Sequence, residues 1–237
     1  VITSIDLDHQ DWLGDTKELV AAEKAGIMRD NIPVVIGEPV KYQALLDAVS
    51  KHSAQASWQH VDFDYQLADD YMVWSNHQLS YAQLPIPHIP AQNVSTGLQV
   101  IQLLKLGLSE ADLAKVITDT RLPGRCQYIG DSPAIMVDVA HNPHAAGYLL
   151  SQIRKLDYAR LYLVVGMLKD KDIAGVIQAL KRQIDVWLIS PIHDSRGVCI
   201  DDLKEQFHAA GLMQKNRIIH IFPDSLAAFA FACEQAT

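Results

Sequence analysis

The chain has 237 residues, 49% of them apolar and 20% charged, with 28 acidic against 20 basic groups for a formal charge of −8; so large an apolar share excludes a disordered or fibrous chain, because it can bury enough surface to offset the entropy of ordering. The acidic balance and a pI near 5.6 argue against non-specific nucleic-acid binding, which needs clustered Lys and Arg to displace phosphate counterions. Apolar runs such as Leu161–Leu168 and Leu226–Cys233 fall short of the ~20 residues a bilayer demands, and the three scattered cysteines, Cys126, Cys199 and Cys233, suggest neither a disulfide framework nor a zinc knuckle.

Val1–Leu7 reads as a buried strand already under way, running into the polar group Asp6, Asp8, His9 and Asp11. A helix is expected from about Asp15, with Asp15 and Glu18 spaced as a capping box and Gly26 as its stop. Pro33–Gly37 has the short apolar run of a buried parallel strand, and Lys41–His52 has helical spacing. Aromatic and β-branched segments between Trp58 and Tyr81 predict two strands turning at Asn76-His77, and Pro85, Pro87 and Pro90 argue against regular structure beyond them. Helices follow at about Asn93–Leu106 and Ser109–Thr120.

Arg121-Leu122-Pro123-Gly124-Arg125 reads as a linker between pieces 1–121 and 122–237. Beyond it strand and helix alternate: strand Ala134–Val139, helix His144–Lys155, strand Leu161–Gly166, helix Ile173–Ile184, strand Val186–Ser190, helix Ile200–Ala210, strand Ile218–Phe222 and helix Leu226–Glu234. That alternation with short loops predicts a parallel sheet with helices on its faces. No signal peptide is visible, and the sum of these features predicts a soluble, cytoplasmic α/β protein. The opening in mid-strand and the ending at the close of a helix lead us to expect a chain cut at both ends.

Four groups could carry chemistry. Asp6-x-Asp8-His9-x-Asp11 lies at a strand end, where α/β ligand crevices form, and its carboxylates and imidazole suit a divalent cation such as magnesium; the alternative is a polar strand end capped by its own Asp residues. Lys24, in Glu23-Lys24-Ala25-Gly26, follows Val20 and Ala21 by one turn, so a neutral amine able to form a carbamate with carbon dioxide competes with an ordinary snorkelling lysine. In Asp138-Val-Ala-His141-Asn142-Pro143-His144 a buried strand delivers a carboxylate suited to ribose hydroxyls, just before a helix whose N–H groups could face an anion; alternatively Asp138 and Asn142 only satisfy loop and cap donors. Arg125 after the Pro-Gly hinge has the planar fork for a phosphate; the alternative is an ordinary linker arginine. The segment Met167–Asp172 reads as a solvated loop that helps close a cleft. Phosphate-loop, dinucleotide and serine-elbow signatures do not occur in these 237 residues, and a Cys126–His141 nucleophile pair has no local support.

Thr3-Ser-Ile-Asp-Leu-Asp-His9-x-Asp-Trp-Leu-Gly14 and Glu23-Lys-Ala-Gly-Ile27 resemble the folylpolyglutamate synthase/dihydrofolate synthase family, relatives of the murein-peptide (Mur) ligases. So do Leu122-Pro-Gly-Arg125, Asp138–Ala146 and Gly166–Gly175, in the same order along the chain. The resemblance implies an α/β fold in which the end of a P-loop-type central ATPase domain (1–121) is followed by a Rossmann-like C-terminal Mur-ligase domain (122–237), incomplete at its end. It implies an ATP-dependent amide ligase joining L-glutamate to dihydropteroate and to folates through an acyl phosphate, most like the bacterial bifunctional form. His9 matches a magnesium-binding histidine and Lys24 a carbamylated, cation-holding lysine. Asn93 matches a nucleotide-contacting asparagine, Arg125 and Asp138 match phosphate and ribose contacts, and His141 matches a histidine near the glutamate and acyl-phosphate site. Here Ala91-Gln92-Asn93-Val94 departs from the family's Q-x-x-N-A. Implied too are ATP, two Mg²⁺ ions with room for a monovalent cation, small-molecule partners only (no nucleic acid, no membrane), and a monomer. The family's phosphate loop would lie upstream, so this stretch alone is expected to be inactive. A murein-peptide ligase and a non-catalytic binding module that kept the fold are the rival readings.

Overall fold

The computed structural model describes residues 1–7, 13–213 and 218–236. The chain divides into two compact units, Val1–Pro123 and Gly124–Thr237, each with its own hydrophobic core.

In the first unit β1 (Val34–Ile36) pairs in parallel with β2 (Ala56–Trp58). Successive side chains of a strand point to opposite faces. Val34 and Ile36 accordingly pack with Val20, Ala21 and Leu45 of α1 (Lys17–Ala25) and α2 (Gln43–Lys51). Val35 packs on the other side with Leu98 of α3 (Ala91–Leu103) and Leu113 of α4 (Glu110–Asp119). That second cluster also takes Met72, Trp74 and Leu84 from an antiparallel sheet of order β3 (Phe63–Leu67), β4 (Tyr71–Asn76), β5 (Ser80–Pro85).

Several sequence expectations change here. Val1–Leu7 is not a strand: Ile2 makes a single bridge to Ile36, and the next donor inward, Ile5 N–H, goes instead to the Glu38 side chain at 2.6 Å. The cap of α1 is Thr16, one residue later than Asp15, accepting from Leu19 N–H at 3.3 Å. Glu18 is not part of a capping box, because its carboxylate accepts the Ala44 N–H at 2.6 Å and ties α1 to α2. The region 58–85 holds three paired strands, not two, and Pro85 closes the edge strand β5, a position where its missing N–H is tolerated. The turn between β4 and β5 is set by the Asn76 side chain, which accepts the N–H groups of Gln78 and Leu79.

The second unit opens with an antiparallel hairpin, β6 (Gln127–Asp131) and β7 (Ala134–Val137). The expected strand 134–139 thus ends two residues early and faces an unforeseen partner. A parallel sheet follows, of order β10 (Ile218–Ile221), β9 (Val186–Ile189), β8 (Tyr162–Val165). Trp187 and Ile189 of β9 share a core with α5 (Pro143–Ile153), α6 (Ile173–Leu180) and α7 (Ile200–Ala209). Val186 and Leu188 face α8 (Ser225–Gln235) through Ala228. Helices therefore cover both faces, the arrangement that a parallel sheet buried on two sides requires. Among the described residues no helix is long and apolar enough to cross a membrane.

Candidate functional site

In the second unit the hairpin brings three expected site residues into one loop cluster. Pairing of Gln127 with Val137 carries Cys126 next to Asp138, where the Cys126 N–H donates to Asp138 Oδ2 at 2.8 Å and its thiol lies 3.5 Å from the same oxygen. Ala140 N–H donates to Oδ1 at 2.7 Å. One turn outward, Val139 N–H bonds the Gly124 carbonyl at 2.9 Å. Gly124 has a φ of 65°, in the left-handed region that glycine occupies without strain, and an added Cβ would press on Val139 at 2.9 Å.

Arg125 stands exposed between these two anchored residues, so its backbone is fixed while its guanidinium stays available. Asp138 is half-buried, with each carboxylate oxygen already oriented by a backbone donor. His141 Nδ1 lies 2.8 Å from the Val139 carbonyl. A carbonyl can only accept, so neutral His141 is the Nδ1–H tautomer with Nε2 as its acceptor. Asn142 caps α5 through the Ala145 N–H at 2.8 Å, with Pro143 at the first helical position. That cap is the role open to Asn142 on sequence grounds.

Cys126 is the contact that spacing did not reveal. Burial first, then the charge and hydrogen bond of Asp138, push its thiol up to about 12, so at neutral pH it is a neutral S–H facing a carboxylate. Its φ of 42° is strained for a non-glycine residue and directs its N–H at Asp138. Cys126 is thus bound to Asp138, not paired with His141.

The segment after β8 is a loop with Lys169, Asp170 and Asp172 exposed, as expected, but it is tied down by backbone bonds. Lys169 N–H bonds the Arg196 carbonyl at 2.8 Å and Val198 N–H bonds the Met167 carbonyl at 3.0 Å, around an antiparallel bridge between Leu168 and Gly197. Met167 is buried, the Lys171 side chain is only 7% exposed beside Asp170, and Asp172 caps α6 through the Gly175 N–H at 2.8 Å.

In the first unit Lys24 lies in the last turn of α1, half-buried and one turn from buried Val20 and Ala21. Asn93 is exposed in the first turn of α3. These two occupy different helices. His9, with Asp8 and Asp11, lies outside the described residues, and among those described no three His, Cys, Asp or Glu side chains gather as a metal set. Of the expected cation-holding residues, Lys24 and Asp6 are thus placed, and Asp6 Oδ1 accepts the Leu7 N–H at 2.8 Å and lies 2.9 Å from Lys17 Nζ.

Two polar groups, one buried and one half-buried, were not anticipated. Glu38, 5% exposed, accepts Ile5 N–H at 2.6 Å and Val40 N–H at 2.9 Å and so replaces the ladder bonds where residues 3–7 leave the sheet. Gln92 sends its side-chain amide inward to the Gly37 carbonyl. A Glu between Gly37 and Pro39, too short a gap for a helix, was the one available hint of the first.

The second unit thus joins a hairpin that anchors Asp138, with Arg125 and His141 in the adjoining loops, to a parallel sheet covered on both faces. Residues 124–237 match the family model described as Mur ligase, glutamate ligase domain. The chain as a whole is similar to dihydrofolate synthase/folylpolyglutamate synthases. It is 38% identical over 206 residues to that enzyme of Escherichia coli strain K12, covering 86% of this chain and 49% of the relative. With that of Haemophilus influenzae the identity is 40% over 225 residues, covering 87% and 52%. Two solved structures agree: E. coli FolC in complex with DHPP and ADP (TM-score 0.91), and a bifunctional folylpolyglutamate synthase/dihydrofolate synthase with Mn, AMPPNP and L-glutamate bound (TM-score 0.88). Each is 34% identical and is matched over 99% of this chain and 55% of its own. The chain spans about half the length of the curated relatives it matches.

Proposed function

We propose that the protein carrying these residues is an ATP-dependent amide ligase that adds L-glutamate to dihydropteroate and to the glutamate tail of folates. The observation that carries the reading is the anchored cluster Arg125, Asp138 and His141, set in a chain 38–40% identical to two dihydrofolate synthase/folylpolyglutamate synthases. In this reading ATP phosphorylates the acceptor carboxylate, the glutamate amine attacks the acyl carbon, and phosphate leaves. Arg125 offers paired N–H donors to a phosphate, and Asp138 accepts from ribose hydroxyls. Asn93 contacts the nucleotide, and His141 lies near the glutamate and acyl phosphate. Positioning and charge neutralisation carry such a reaction.

Residues 1–121 form the closing part of a central ATPase domain and 122–237 the glutamate-binding domain. Two magnesium ions, with room for a monovalent cation, would neutralise the phosphates when bound. His9 would hold one, and Lys24 the other once its amine has added to carbon dioxide with loss of a proton. The enzyme works as a cytoplasmic monomer on small molecules, with no nucleic-acid or membrane partner, and these 237 residues alone are inactive.

The test is phosphate release dependent on ATP, glutamate and dihydropteroate, by the full-length gene product and by the 237-residue chain. Turnover by the former and none by the latter is expected. A full-length protein that accepts a murein precursor in place of the pteroate, or that hydrolyses nothing, overturns the reading in favour of a murein-peptide ligase or a binding module.

A further inference from the structure

Helix α3 begins without a side-chain cap: Pro90 holds the N-cap position and offers no side-chain hydrogen bond. First-turn N–H groups of a helix need partners, and here Asn93 and Val94 have only the Pro90 carbonyl, at 2.9 and 3.2 Å. The turn is held from inside instead. The Gln92 side-chain amide donates to the carbonyl of Gly37, 55 residues away in sequence and directly after β1. One turn further on, the Thr96 hydroxyl donates to the Gln92 carbonyl at 2.8 Å. Thr96 is 1% exposed, and its hydroxyl lies 3.5 Å from the Gln59 side-chain oxygen, directly after β2.

The strand end that receives Gln92 is itself fixed. Gly37 N–H bonds the Ile2 carbonyl at 2.7 Å and Gln59 N–H bonds the Ile36 carbonyl at 2.9 Å. The approach of helix to strand also depends on glycine, because a Cβ at Gly37 would overlap the Thr96 hydroxyl. Adjacent residues of a helix stand about 100° apart, so with Gln92 turned inward its neighbour Asn93 is turned out, and Asn93 is exposed.

We propose that Gln92 is a positioning residue for Asn93: it locks the uncapped first turn of α3 to the end of β1, and so fixes where the Asn93 amide meets the nucleotide. The proposal rests on the nucleotide reading of Asn93. The Gln92 amide is taken up by the Gly37 carbonyl, so its loss is expected to weaken nucleotide binding while leaving the chemical step alone.

A double-mutant cycle in the full-length enzyme separates this from general structural support. Gln92→Met keeps the side-chain volume but loses the donor, and is expected to raise KM for ATP about fivefold with kcat changed less than twofold. Asn93→Ala is expected to raise the same KM at least as much, and the double variant is expected to match Asn93→Ala alone. A Gln92→Met enzyme with wild-type KM, or a double variant in which the two effects multiply, overturns the positioning role. An Asn93→Ala enzyme with unchanged KM for ATP overturns the nucleotide reading itself, and the proposal with it. If Gln92→Met lowers Tm by more than about 5 °C, Gln92→Leu takes its place, since it also removes the donor to the Gly37 carbonyl while keeping an apolar side chain there, and the same cycle decides.

Discussion

At the scale of single residues, the environment of Cys126 sets a reactivity opposite to that of an exposed thiol. The thiolate is the reactive form, and a thiol pushed up to about 12 by burial and by Asp138 leaves about one molecule in ten thousand ionised at pH 8. Cys199, exposed at the start of α7, has no such burial. Timed alkylation at pH 8 followed by peptide mass mapping is therefore expected to label Cys199 at least tenfold faster than Cys126. Asp138→Asn, which removes the neighbouring charge, is expected to speed the labelling of Cys126. Equal rates at the two cysteines in the unaltered chain would contradict the buried, carboxylate-facing thiol. The same contact explains what sequence could not supply. Asp138 was legible as a strand-end carboxylate and Asn142 as a cap, because both depend on near neighbours. The Cys126–Asp138 bond crosses a hairpin, and no spacing encodes it.

At the scale of elements, the helix starts divide into capped and uncapped. In α4 the Ser109 side chain receives the Asp112 N–H at 3.2 Å, while Asp112 receives the Ser109 N–H at 3.0 Å and its hydroxyl at 2.6 Å. Those bonds from Ser109 hold the Asp112 carboxyl below its ordinary value. A carboxylate whose pKa is lowered on folding stabilises the fold above its unfolded pKa, and that stabilisation fades as pH falls through the folded value. Ser109→Ala is accordingly expected to lower Tm at pH 7 and to lose part of that deficit as pH falls through the lowered Asp112 value, below which Asp112 is protonated in either protein. A deficit constant from pH 7 to pH 3 would exclude the reciprocal bond. Ser109 was an expected helix start, and the helices of the second unit were legible for the same reason: periodicity and caps are local. Strand β6 was missed because its burial is almost entirely solvent-exposed, so no apolar alternation marks it. Val1–Leu7 was misread because Ile2 and Ile5 are buried like strand residues, although Glu38 takes the bond that a strand partner would have made.

At the scale of the whole molecule, each unit owns its core: two clusters before Pro123 and two after it. Units that bury their apolar residues separately can unfold separately. Residues 124–237 expressed alone are expected to fold, with far-ultraviolet circular dichroism of an α/β protein and a cooperative thermal transition. The intact chain is expected to show two calorimetric transitions, one matching that isolated piece. A piece that stays unfolded would mean that its core depends on residues before Gly124. The linker expected at 121–125 contains the division between the units, which falls two residues beyond the 121/122 boundary expected from sequence. The packing of β1 between two clusters was not readable, because three consecutive buried residues look alike whichever face each serves.

The sheet of the second unit carries its strands in chain order, β8 beside β9 and β9 beside β10. Each new strand can therefore pair with the one made immediately before it as the chain leaves the ribosome. No strand of that sheet waits for a partner more than one helical crossover away, so its assembly can keep step with synthesis and its loop closures stay short.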